Sequence, residues 1–144
     1  MKFEEIQKLW SGDCEIDETE LSQESVKIPQ LHNKYLIIFH DERLRLRTMR
    51  FDHSKLLKVK REYFSGRMDA TELEAYDWEP FQYKLLKADV QEYIDADDDI
   101  IEGKKKLSLQ EEKVEYLESV VKSLSTRGYL IKNAIDWKRF TEGN

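Results

Sequence analysis

LSQESVKIPQLHNKYLIIFHDERLRLRTMRFDHSKLLKVKREYF, residues 21–64, holds no glycine over 44 residues. A 3–4 spacing runs through Leu21, Ser25, Ile28, His32, Tyr35, Phe39, Glu42, Leu46, Met49, His53 and Leu56, which is the period of one helix face. At 1.5 Å per residue such a helix is about 66 Å long. Polar residues at His32, Glu42 and His53 in the seam argue against a clean two-stranded coiled coil. Pro29 lies inside the pattern and predicts a kink or break between about residues 25 and 29. Ser65-Gly66 ends it, with Gly66 suited to a left-handed C-terminal position.

Outward from this helix, residues 2–10 read as a short amphipathic helix with Phe3, Ile6, Leu9 and Trp10 on one side and Gly12 after it. Asp17 or Thr19 offers a cap for the long helix. Residues 67–82 form an acidic connection around Pro80, with a short helix begun by Asp69 or Thr71, and Phe81, Tyr83, Leu85 and Leu86 form a further turn. Asp95–Asp99 supplies negative charge for the start of the last long helix. That helix repeats through Leu107, Gln110, Val114, Leu117, Val121 and Leu124, with Gly103 weakening its first turns. Ser125-Thr126-Arg127-Gly128 predicts a stop, followed by a terminal amphipathic helix over 129–141. The expectation is an all-α protein in three stretches: an N-terminal helical region with a basic helix end (1–68), an acidic connection (69–99) and a C-terminal helical oligomerisation region (100–144).

Composition agrees with long helices that each bury one stripe. Of 144 residues, 38% are charged and only five are glycine and two proline, too few breakers for a many-turned β-sandwich or barrel. No apolar run approaches the roughly 20 residues of a membrane span. Residues 1–10 lack a signal-peptide core, so the protein is expected to be soluble and to stay where it is made. Cys14 is the single cysteine, which excludes an internal disulfide and a cysteine metal cluster.

The net charge of −6 hides strong segregation: −4 over residues 1–40, +5 over 41–68, −10 over 69–102 and +3 over 103–144. A chain that is acidic overall and basic in one confined stretch offers polyanions one place to bind. No catalytic constellation accompanies this. The run DADDD (95–99) resembles the start of a calcium loop, but Ile100 and Lys106 stand where an EF-hand needs glycine and glutamate. His32, His40 and His53 never fall at zincin spacing, and there is no phosphate loop or nucleophile elbow. No metal, cofactor or enzymatic activity is expected.

The stretch KLLKVKREYFSGR (55–67) is where charge and aromatic rings meet. Lys58, Lys60 and Arg61 crowd the last turns of the helix, followed by Tyr63, Phe64 and Arg67. Bases near a helix C-terminus complement its dipole, which explains two or three of them but not nine over 28 residues. Three readings stand: a nucleic-acid surface, a solvated helix face, or a dock for an acidic protein, which the segment 69–102 could itself supply. Positive charge that follows a phosphate backbone beside stackable rings is what single-stranded nucleic acid needs.

At this point the chain resembles the UvsY-type recombination mediators of phages. The resemblance is carried by LKVKREYFSGR (57–67), by Ile16-Asp17 with Thr19 and Leu21, and by SLSTRGYLIKNAIDWKRFTEGN (123–144), in order along the chain. It implies an all-helical protein that forms a ring-like homo-oligomer through its C-terminal helices and binds single-stranded DNA. It further implies that the protein helps a RecA-like recombinase replace a single-strand-binding protein, in the cytoplasm of the infected bacterial host. The family's DNA-contacting segment maps onto Lys58 and Lys60, with Arg61 standing where the family has leucine. The candidate nucleic-acid residues are therefore Lys58, Lys60, Arg61, Tyr63, Phe64, Arg67, Lys55 and Arg50. The candidate oligomer interface is Leu117, Val121, Leu124, Ile131, Ile135, Trp137 and Phe140, whose apolar surface exceeds what one small helical chain is expected to cover. The alternative is a non-enzymatic helical scaffold or adaptor that binds only protein.

Overall fold

Among the described residues, 1–143 of a computed structural model, there are five helices and no strand: α1 (Phe3–Asp13), α2 (Leu21–Phe64), α3 (Ala70–Tyr76), α4 (Lys87–Asp95) and α5 (Asp98–Thr141). The chain forms two compact units, Met1–Arg45 with Gln110 onward, and Leu46–Leu109, so α2 and α5 each contribute to both. The solution is all-α, as the glycine-free 3–4 spacing requires.

In the first unit, α1 buries Ile6 completely and sets Trp10 edge-on to Tyr35, with ring centroids 5.2 Å apart. α1 continues through Gly12 to Asp13 because that last turn is anchored. The Asp13 carboxylate accepts from the Tyr35 hydroxyl and from Lys34 Nζ, both at 2.7 Å. Asp17 does not cap α2. Its carboxylate instead accepts from Thr19 N and Thr19 Oγ1 in a turn of its own before Leu21.

The helix break at Pro29 and the helix stop at 125–128 are both absent. α2 runs through Pro29 without a break. Proline there forfeits one backbone bond, a cost of about 3 kcal/mol, but Leu21 and Glu24 before it and Tyr35 and Phe39 after it are all buried. α5 likewise passes through the expected stop at 125–128. Ser125 Oγ donates to the Val121 carbonyl and Thr126 Oγ1 to that of Ser123, so these hydroxyls stay within the helix. Arg127, 4% exposed, donates to the carbonyls of Asp13 and Glu15 at 2.8 Å and pairs with Glu24 at 3.4 Å. Those bonds outweigh the roughly 1 kcal/mol that Gly128 costs a helix.

The same unit corrects the expectation of uncovered apolar surface. Leu117, Leu124 and Ile131 are buried in this chain's own core together with Val114 and Val120, and Val121 and Ile135 are half-buried. Only Trp137 and Phe140 of that set are exposed, at 66% and 78%, with their rings stacked 5.8 Å apart.

The second unit has Phe64, Val90, Ile94 and Ile100 as its core, with Leu56, Leu57, Tyr63, Phe81 and Leu85 packed on it. α2 ends in a Schellman turn: Arg67 N donates to the Glu62 carbonyl, Gly66 N to that of Tyr63, and Gly66 has φ of 71°. Asp69 caps α3 by accepting from Glu72 N at 2.8 Å. The predicted turn at Phe81–Leu86 is not helical; α4 forms just after it. Asp97 caps α5 by accepting from Ile100 N, so the acidic run begins a helix. Gly103 has a packing reason, since a Cβ there would stand 2.7 Å from His53 Nδ1.

Glu42, 3% exposed, carries the sharpest stability test. Its carboxylate accepts from Gln110 Nε2 at 2.8 Å and from the N-terminal amine at 3.1 Å, with Lys113 at 3.6 Å. Burial would raise its pKa, but these donors and charges reverse that and hold it below the ordinary value of 4.5. Its contribution is therefore present above that value and is lost as pH falls through the lower folded one. Glu42→Gln should cost about 2 kcal/mol near neutral pH, and the gap to the parent protein should close on acidification. Urea unfolding at about pH 7 and about pH 3 checks both.

Candidate nucleic-acid interface

The second unit holds all eight of the sequence-predicted nucleic-acid residues. Because α2 is continuous to Phe64, each step along it turns a side chain by about 100°, and the bases of 55–67 separate into two environments. Lys55, Lys58, Arg61 and Arg67 are exposed, as is Arg50 further up the helix. Lys60 points the other way.

Lys60 is 5% exposed. Its ammonium sits 3.2 Å from Asp97 Oδ1 and 2.9 Å from Asp99 Oδ2, and 4.2 Å from the centre of the Trp78 ring. Burial alone would lower its pKa; the bonds to Asp99 and Asp97 outweigh that and raise it above the ordinary lysine value. In this structure Lys60 is a neutralised, enclosed charge and is not open to a phosphate.

The aromatic pair divides in the same way. Phe64 is a core residue, 8% exposed, with Phe81 edge-on at 5.1 Å, so it offers no free face to a base. Tyr63 is half-buried, its hydroxyl donating to the Glu79 carbonyl at 2.7 Å and its ring against Trp78 and Phe81. The exposed rings of this cluster come from residues outside the predicted nucleic-acid set. Tyr83 and Tyr93 lie against Phe81, and Tyr76 stacks on Trp78 at 4.7 Å. The legible signal was the density of aromatics between 76 and 93, hidden inside the acidic segment.

Arg61 reaches α4, where its guanidinium donates to Gln91 Oε1 at 3.4 Å. The candidate oligomer residues all belong to the first unit. Among the described residues no cluster of histidine, cysteine, aspartate and glutamate could hold a metal ion. No helix there is long and apolar enough to cross a membrane.

A helical chain with exposed bases gathered at one helix end has the form of a binding protein. Residues 9–144 match the family described as recombination, repair and ssDNA binding protein UvsY. The recombination protein UvsY of Enterobacteria phage T4 is 23% identical over 143 residues, covering 99% of each chain. Two crystal structures of the bacteriophage T4 recombination mediator protein UvsY superpose with TM-scores of 0.84 and 0.83 at 22% identity. They cover 97% and 99% of this chain, and 99% and 98% of theirs. The chain belongs to the UvsY family.

The geometry separates two neighbouring lysines by experiment. Lys60→Ala leaves Asp97, itself largely buried, without its partner and should destabilise the protein by about 3 kcal/mol. Lys58→Ala, on the exposed face, should stay within about 0.5 kcal/mol of the parent. Urea titration followed by tryptophan fluorescence checks the contrast.

Proposed function

We propose that this protein is a recombination mediator: it binds single-stranded DNA and helps a RecA-like recombinase take the place of a single-strand-binding protein. The observation that carries the reading is the exposed basic end of α2 in a chain of net charge −6, in a member of the UvsY family. Lys55, Lys58, Arg61 and Arg67, with Arg50, hold phosphates. Base stacking is assigned to Tyr83, Tyr93 and the exposed edge of Tyr63, since Phe64 is enclosed. The action is by binding and not by bond-breaking chemistry, in the cytoplasm of an infected bacterium.

Few phosphate contacts per subunit give weak binding at physiological salt. Linking several subunits raises avidity by about 10²–10⁴ without any new contact. A ring-like homo-oligomer supplies that multiplicity. Its interface is centred on the exposed Trp137–Phe140 stack near the end of α5, joined by exposed Tyr129 and Leu130.

Lys58→Ala with Arg61→Ala should weaken binding at every sequence tested. It should also make the slope of log K against log[salt] shallower by about 1.4, or 0.7 for each lost phosphate contact. Anisotropy of a labelled single strand over a salt series measures both. A parent protein that fails to bind the strand at low salt, while still binding a recombinase, would favour the protein-only adaptor. Trp137→Ala with Phe140→Ala should give smaller species by light scattering after size exclusion, with an affinity for single strands reduced about 10²-fold or more.

A further inference from the structure

A cavity of about 240 Å³ in the second unit is lined by Arg61, Ser65, Arg67, Lys87, Val90 and Gln91. Three of its six lining residues are cations and none is a carboxylate. We propose that this cavity seats one backbone phosphate of the bound strand, with Lys87 of α4 as a nucleic-acid contact alongside Arg61 and Arg67. The proposal rests on the single-strand reading and deepens it.

The local charge arrangement supports it. The Lys60 ammonium, one residue from Arg61, is closed off by two carboxylates. Arg61 is held differently. Gln91 donates through Nε2 to Asp95 Oδ1 at 2.8 Å, which turns its Oε1 toward the Arg61 guanidinium. The arginine is thus oriented by a neutral amide and keeps its charge uncompensated there. Arg67 and Lys87 form no ion pair among the described residues and are exposed. Three exposed cations around one cavity, none of them in an ion pair among the described residues, repel one another unless an anion joins them.

Lys87 also sits where helix physics disfavours it. It opens α4, at the positive end of the helix dipole, where acids are preferred. Apart from Lys84 it is the only base between residues 69 and 102, a stretch of net charge −10. The N-cap residue, Leu86, makes no side-chain capping bond; Asp89 N turns back to the Leu86 carbonyl, and Asp89 is the one acid of that turn. A phosphodiester meets all three cations at once, because guanidinium groups bind it in a planar, paired geometry and an ammonium binds it as a point charge.

The test uses the full-length protein and a labelled oligothymidylate in an anisotropy salt series. Lys87→Gln and Arg67→Gln, each confirmed as folded by circular dichroism, should each lose about three- to tenfold in affinity and about 0.7 of salt slope. Lys84→Gln, a base of the same segment outside the cavity, should match the parent. A parent protein that binds the strand while Lys87→Gln and Arg67→Gln both behave as the parent would overturn the cavity assignment alone. A loss of affinity without a change of slope overturns it too, since the contact would then not be to a phosphate. A parent protein that binds no single strand overturns the reading beneath it.

Discussion

The Lys60 ammonium stands between Asp97 and Asp99 and over the face of Trp78, and the basic surface of this protein depends on that contact. A lone buried ammonium is prohibitively unfavourable, so α2, the connection carrying Trp78 and the first turn of α5 have little freedom to part. Asp97 is committed twice, one oxygen on Lys60 and the other on Ile100 N, which couples the start of α5 to the ion pair. With Lys60 fixed, the directions of Lys58 and Arg61 follow from helix geometry. The enclosed charge therefore orients the exposed ones.

Arg127 plays a corresponding part in the first unit, where one guanidinium satisfies two carbonyls and a buried carboxylate. Glu42 does the same from the acidic side with Gln110 and Lys113. Polar groups in these places define pairing geometry more narrowly than interchangeable aliphatic contacts would. This suits a chain whose long helices carry too few apolar residues to settle their register by hydrophobic packing alone.

The sequence made the helix from Leu21 to Phe64 legible because nothing in it except Pro29 favours another backbone state, and Ser65-Gly66 supplies a stop with its own geometry. The 125–128 stretch misled because its local preferences, two hydroxyl residues and a glycine, are weak beside the tertiary bonds of Arg127. α4 was missed because its buried face is only Val90 and Ile94, too short a pattern to separate from a turn. Among the site residues, charge density located the right stretch of chain. It could not distinguish Lys58 from Lys60, which are chemically identical and two positions apart. That distinction lies in Asp97, Asp99 and Trp78, about 20–40 residues downstream, and no local pattern announces them. Lys87 is likewise hidden in the sequence, one of two bases in a segment of net charge −10.

The alternation of inward Lys60 and outward Lys58 and Arg61 on one uninterrupted helix has an evolutionary consequence. Exchanging one surface base for another, or adding one, leaves the enclosed pair untouched, so composition in this stretch is free to drift. A single-residue insertion or deletion between Lys55 and Phe64 is another matter, because it rotates everything beyond it by about 100°. It would turn a solvated cation toward the acidic cradle and swing Phe64 out of its packed position. Divergence among relatives should therefore proceed here by replacement at constant length, with changes in length confined to the turns that follow Gly66.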